Sequence, residues 1–269
     1  MANTIHCPAH MATTDHVELY VVQLHNENLR AKTIRSHLAA LSFQFQSSNQ
    51  PSPTESFNID KLLVAYAKTD PPPTIRLPIT KVLLAQLIAA LNRLPNSQHD
   101  RILLTSLLTL MYQALLRVSE VTYSKKNSHN LLPSQVRVNP QNHLKVTFSS
   151  FKFSRPGLKS IDIPSSGDSL CPVSAYNSYV AIRNRTAQAA FCHFNGAPLT
   201  PAFVTEQLRL LLRGIGQPPL HFNNHSLRIG KATDMAKDGY TDTQICMAGR
   251  WSSSAFKQYI KPQLLQLSN

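Results

Sequence analysis

Asp70-Pro71-Pro72-Pro73 constrains this chain more than any other feature. Each proline lacks the amide donor that a helix needs and pushes the residue before it out of the α region, so no helix runs through the segment. The 269 residues must therefore form separate pieces on either side, which suits one large domain and one smaller one. On the amino-terminal side, apolar residues recur at helical spacing: Val17, Tyr20, Val21 and Leu24, then Ile34, Leu38, Leu41 and Phe45, then a third run from Ile59 to Tyr66. The pattern predicts a helical domain over residues 1–70, a linker over 71–80 and a larger domain over 81–269.

The larger part opens with Thr80 as an N-cap before Val82-Leu83-Leu84. The apolar stretch from Ile102 to Val118 reads as one buried core helix, with Arg117 and Glu120 where it runs out. An arginine at the edge of a core is costly to bury unless it meets an anion or a carboxylate. Alternation of apolar and polar residues then predicts strands at Gln135–Val138, Leu144–Phe153 and Ser160–Ile163, separated by Asn139-Pro140-Gln141-Asn142 and Ser154-Arg155-Pro156-Gly157. These form two hairpins of a small antiparallel sheet, with Lys152 near the second turn. Helices follow over Pro172–Arg185, Pro201–Gly214, His225–Lys237 closed by Gly239, Thr241–Ala248, and a last one containing Tyr259. The expected fold is mainly α with a small antiparallel β-sheet.

A formal charge of +13 and a pI near 9.8 concentrate polyanions around the chain, with nucleic acid first among them. A membrane surface is the rival partner, but no apolar run approaches the roughly 20 residues of a spanning helix and no signal-peptide pattern opens the chain. An intracellular protein is expected. From Val121 to Ser160 there is no Asp or Glu, while Lys125, Lys126, Arg137, Lys145, Lys152, Arg155 and Lys159 supply seven positive charges. Such one-sided charge is the footprint of a surface that tracks a phosphate backbone. Lys32 and Arg35 at the start of the second helix suit phosphate contact too, and equally suit a solvated basic face. Cys7, Cys171, Cys192 and Cys246 show no paired spacing and read as free thiols. His6, Cys7 and His10 make only half of a metal site, so no metal is expected.

Cutting a phosphodiester without a metal requires a nucleophile, donors around the two non-bridging oxygens and an acid for the leaving alkoxide. His225-Ser226-Leu227-Arg228 puts a donor and a guanidinium three residues apart on one helix face, near the amides of that helix's N-terminus. Arginine grips phosphate oxygens with a planar fork. Trp251, in Gly249-Arg250-Trp251, offers an indole N–H that donates without titrating. Each of these alone also reads as ordinary structure. Phe256, Tyr259 and Ile260 have the spacing of a buried helix face, and the single tryptophan suits a core.

The ordered set resembles the tyrosine recombinase family, which includes phage integrases. The resemblance rests on Leu115-Leu116-Arg117-Val118-Ser119-Glu120, Leu170-Cys171-Pro172-Val173, His225-Ser226-Leu227-Arg228-Ile229-Gly230-Lys231-Ala232-Thr233 and Gly249-Arg250-Trp251 through Tyr259-Ile260. These strings look most like recombinases of Crypton and DIRS-type mobile elements. The resemblance implies a helical, SAM-like core-binding domain before an α+β catalytic domain. It also implies that Tyr259 attacks the scissile phosphate to form a 3′-phosphotyrosyl bond and that Arg117 and Arg228 clamp the non-bridging oxygens with His225 and Trp251. Lys152 protonates the leaving 5′ oxygen, with Lys145 and Lys159 as the other candidates, and Glu120 orients its neighbours. Many members carry histidine where Trp251 stands. No cofactor is implied, since the phosphotyrosine keeps the energy of the cut bond. The implied partner is double-stranded DNA, bound by a homotetramer on paired sites that is a monomer or weak oligomer alone. Leu264, Leu265 and Leu267 in the last residues would dock on a neighbouring protomer. The expected location is the nucleus in a eukaryote, or the cytoplasm or nucleoid in a bacterium. A type IB topoisomerase, or a catalytically silent DNA-binding protein derived from a mobile element, are the alternatives.

Overall fold

In the computed structural model the described residues are 11–72, 76–93, 97–123, 130–148, 159–251 and 254–260. The chain separates into two compact units, Met1–Pro73 and Thr74–Asn269. The first contains α1 (Thr14–Asn26), α2 (Ala31–Ser47) and α3 (Phe57–Thr69). Their apolar stripes bury Val17, Val21, Leu24, Ile34, Leu38, Ile59 and Leu63 together. Thr13 and Ser56 cap α1 and α3 with their side-chain oxygens. Arg30, before α2, makes no side-chain cap. Instead Asp70, at the end of α3, accepts the Ala31 amide at 3.1 Å, so a residue just before the prolines satisfies a helix start 39 positions away. His25 stacks on Tyr66 with ring centroids 3.6 Å apart.

The second unit begins with an extended segment. Leu77 N–H donates to His221 O at 2.8 Å and Ile79 N–H to Ser226 O at 2.9 Å, so residues 76–80, expected as linker, are built into this unit. Helix α4 (Lys81–Leu91) starts as the sequence predicts, with Thr80 Oγ1 accepting from Leu83 N–H. Asp234 accepts the Lys81 amide at 2.7 Å and the Tyr112 hydroxyl at 2.5 Å. One carboxylate thus ties α4 and α5 to α9 (His225–Lys237).

Helix α5 (Gln98–Gln113) is the central apolar helix, but it stops four residues before the predicted Arg117. Leu116 N–H turns back to Met111 O and Leu115 N–H to Tyr112 O. Leu115 takes the left-handed conformation, φ 46°. That is a Schellman closure with leucine where glycine usually stands. A leucine there costs roughly 1–2 kcal/mol of backbone strain, which burial of its side chain offsets. Arg117 consequently precedes a separate four-residue helix, α6 (Val118–Val121).

Strands β1 (Val136–Val138), β2 (His143–Phe148) and β3 (Lys159–Pro164) form an antiparallel sheet in the order β1-β2-β3. Val136 lies opposite Val146, and Leu144 opposite Ile163. Leu144, Val146 and Phe148 are buried, the period-2 pattern of a sheet with one face on the core. Asn142, at φ 58°, supplies the left-handed position of the β1–β2 turn. Helices α7 (Pro172–Ile182), α8 (Pro201–Gly214), α9 and α10 (Asp242–Gly249) complete the unit. Tyr259 does not lie in a last α-helix as expected: it follows a 3₁₀ segment over Ser254–Gln258, with its amide on Phe256 O at 2.8 Å. Phe256 is buried, but Lys257 and Gln258 are exposed, so this short segment has no second apolar row to sustain an α-helix. Among the described residues no helix is long and apolar enough to cross a membrane.

Candidate active site

The turn after α5 organises the site. Its reversal leaves the carbonyls of Ala114 and Leu115 without helical donors, and two guanidiniums take them. Arg228 donates from Nη1 to Leu115 O and from Nη2 to Gly249 O at 2.5 Å. Arg250 donates from Nη1 to Ala114 O at 3.0 Å and from Nη2 to Leu115 O at 3.5 Å. Helices α5, α9 and α10 are joined here through backbone oxygens, so the arginines are placed by the fold and not by flexible partners.

Glu120 sits between two of the cations and is 5% exposed. Its Oε2 accepts from the Arg117 amide at 2.8 Å and from Arg250 Nη2 at 2.9 Å, while its Oε1 lies 3.4 Å from Arg117 Nη1. The first bond caps α6. Arg117 and Arg250 differ in exposure: the Arg117 side chain is 25% exposed, that of Arg250 only 5%. Three guanidiniums and one carboxylate in one cluster leave an excess of positive charge. Burial first, then Arg117 and Arg250, lower Arg228 from its usual value to about 9, and it remains a cation at neutral pH. An anion in this cluster would relieve the repulsion.

His225 opens α9, held by its amide on Asn223 Oδ1 at 2.9 Å, while Asn224 ties the helix start to Thr205 on α8 at 2.7 Å. Its Nε2 is 2.7 Å from the Tyr259 hydroxyl. Burial, followed by Arg228 and Arg117, lowers His225 to about 4. The ring is therefore neutral at pH 7 and has one nitrogen able to accept a proton. Tyr259 is half-buried, and Thr233 Oγ1 fixes its backbone by donating to Tyr259 O at 3.2 Å. Trp251 fills the space between: its ring is 4.2 Å from Arg228 Cζ and 5.3 Å from the Tyr259 ring. The indole covers the fully buried Arg228, whose Nε has no hydrogen-bond partner among the described residues. Gly249 makes that lid possible, because a Cβ there would lie 1.6 Å from Trp251 Cζ3.

Of the residues singled out in the sequence, Arg117, Glu120, His225, Arg228, Trp251 and Tyr259 meet in this one cluster. Lys152, Lys125, Lys126 and Arg155 lie outside the described residues, as do Leu264, Leu265 and Leu267, and His6, Cys7 and His10. Lys145 is exposed on β2, opposite Arg137 on β1 and Asp162 on β3. Lys32 and Arg35 are exposed on α2, with Arg35 3.6 Å from Asp60. Arg250 was not singled out. Only its place between Gly249 and Trp251 marked it, and nothing in the string indicates the left-handed backbone, φ 54°, that turns its side chain toward Glu120. Among the described residues no group of three or more His, Cys, Asp or Glu is placed to hold a metal ion.

The family model described as the phage integrase family matches residues 79–263. No curated protein sequence matches. Among solved structures, the chain is similar to the Tn1549 transposon integrase in complex with circular intermediate DNA, at 14% identity and a TM-score of 0.65, over 97% of this chain and 86% of that one. It is also similar to the XerH site-specific recombinase bound to a palindromic difH substrate, at 13% identity and 0.65, over 96% and 72%. A lambda integrase dimer bound to a COC′ core site matches at 16% identity and 0.54, over 96% and 67%.

Proposed function

We propose a function from one premise: the chain belongs to the phage integrase family, and it is a site-specific recombinase that cuts and rejoins DNA strands through a 3′-phosphotyrosyl intermediate. Double-stranded DNA is its substrate. The observation that carries the assignment of the nucleophile is the Tyr259 hydroxyl, 2.7 Å from the neutral His225 ring and beside the Arg228–Trp251 stack. The Tyr259 oxygen attacks the scissile phosphorus and the bond to the 5′ oxygen breaks. His225 accepts the tyrosine proton, and Lys152 supplies one to the departing 5′ oxygen. Arg117, with part of its side chain in solvent, meets the phosphate first. Arg228 and Trp251 complete the cradle, with Arg228 Nε, which has no hydrogen-bond partner among the described residues, as the donor held ready. Donors fixed before the reaction stabilise developing charge without reorganising at that moment.

Rejoining reverses these steps with a 5′-hydroxyl from a partner strand, which must itself have been cut, so the exchange requires more than one protomer. A homotetramer on paired sites, weakly associated in the absence of DNA, meets that need. Leu264, Leu265 and Leu267 supply its apolar contact, and removing the residues after Pro262 should impair assembly more than initial DNA binding.

The test uses a pool of nicked duplexes randomised across the cleavage region, which traps the covalent species by letting the cut fragment diffuse away. The expected result is a covalent protein–DNA adduct that Tyr259→Phe abolishes while DNA affinity stays within about threefold. A covalent adduct persisting in Tyr259→Phe would rule out this nucleophile. A wild-type protein that binds the pool and never becomes joined to it would favour the silent DNA-binding alternative.

A further inference from the structure

We infer that Arg250 is a positioning residue for strand cleavage: it occupies the Glu120 carboxylate so that Arg117 stays available to the scissile phosphate. The inference rests on the recombinase reading above. Its physical basis is competition for one buried carboxylate. Glu120 has two oxygens. Arg250 Nη2 takes Oε2 at 2.9 Å together with the Arg117 amide, leaving the Arg117 guanidinium a single long contact of 3.4 Å to Oε1. A guanidinium and a carboxylate so close would otherwise close into a bidentate pair. That pair would compete directly with a phosphate for the same N–H groups.

The arrangement of Arg250 itself fits this role. Its side chain is 5% exposed, its Nη1 is on Ala114 O, and its face lies over the Phe148 ring at 4.5 Å. It reaches this place because α10 ends on it in the left-handed conformation, a strained cap for arginine. Burial lowers the proton affinity of Arg250, and Arg117 adds to that, while Glu120 opposes both. Glu120 therefore stabilises Arg250 as a cation, and Arg250 in turn neutralises Glu120.

A purely structural role and this one differ in what Glu120 does when Arg250 is gone. With the nicked-duplex pool, Arg250→Met should slow adduct formation by about a hundredfold while DNA affinity stays within threefold. Glu120→Gln added to Arg250→Met should recover at least tenfold of that rate, because an amide still caps α6 and no longer captures Arg117. Glu120→Gln alone should slow the protein. If the double variant is no faster than Arg250→Met, the two residues act independently and the inference is wrong. Should Arg250→Met fail to melt cooperatively, Arg250→Lys decides. Retaining the charge, it should keep the rate within about fivefold, and a folded Arg250→Lys slower than wild type by a hundredfold would overturn the charge-balancing role. Absence of adduct with the wild-type protein would instead count against the recombinase reading, so the two failures are distinguishable.

Discussion

His225 joins chemistry to stability at the scale of a single side chain. Its proton affinity is lowered from the usual 6.5 to about 4 by burial, then by Arg228 and Arg117. The folded protein therefore binds fewer protons at this site than the unfolded chain does. Stability from a neutral His225 is fully present above pH 6.5 and is lost as pH falls from there toward 4. After allowance for solvent screening the loss is on the order of 2 kcal/mol. Thermal melts between pH 7 and 4 should show the wild type losing more stability than His225→Gln over that window; parallel curves would contradict a buried neutral imidazole. Gly249 gives a second test of the same cluster. Gly249→Ala must displace the Trp251 indole, since the new Cβ would lie 1.6 Å from it. The chain has one tryptophan, so its emission reports this site alone. A red-shifted emission with at least tenfold slower adduct formation is expected, and unchanged emission would show that the indole does not pack on Gly249. Much of this cluster was legible in the sequence, because His225 and Arg228 stand three apart on a helix and Trp251 and Tyr259 follow in order. Arg250 was not, since its role depends on one left-handed residue that leaves no mark in composition or periodicity.

A stripe of apolar residues beside a recognisable cap marks a helix in the sequence, as at Thr80, whereas a turn inside a continuous apolar run leaves no mark. The end of α5 shows why. Ala114-Leu115-Leu116 continues the core pattern, and neither glycine nor proline marks the reversal. The consequence for function is large, because that reversal exposes the two carbonyls that hold Arg228 and Arg250. The 3₁₀ segment before Tyr259 was missed for a related reason: three apolar positions fit a helix face, but five residues are too few to settle its pitch. A tighter constraint joins α9 to the extended residues 76–80. A Cβ on Gly230 would lie 1.7 Å from Ile79 O, a backbone atom held in place because the Ile79 amide is bonded to Ser226 O. Gly230→Ala must part the two elements and should destabilise the protein by about 2–4 kcal/mol, at or above the usual range for overpacking. Urea unfolding measures it, and a change under 1 kcal/mol would mean the contact yields easily.

Charge is distributed unevenly along the chain. Residues 1–73 carry five Lys and Arg against six Asp and Glu, and residues 74–269 carry 22 against eight. The net +13 thus arises entirely in the second unit. Affinity for duplex DNA regardless of sequence should depend on that unit, because each phosphate neutralised contributes about 0.9 to the slope of log affinity against log salt. On the sheet, exposed Arg137 and Lys145 lie directly opposite each other. Like charges so placed repel; Asp162, opposite Lys145 on β3, offsets part of that repulsion, and a phosphate on the Arg137 side would relieve the rest. On α2, Lys32 and Arg35 belong to a unit with no net positive charge, and Arg35 has Asp60 at 3.6 Å. Measured on a random duplex between 50 and 200 mM salt, the full chain carrying Arg137→Ala with Lys145→Ala should lose roughly one to two units of slope. The chain carrying Lys32→Ala with Arg35→Ala should lose less than about one unit, since its cations bring a weaker local field. The reverse ranking would move the principal backbone contact to the amino-terminal helices and leave the sheet pair without a ligand.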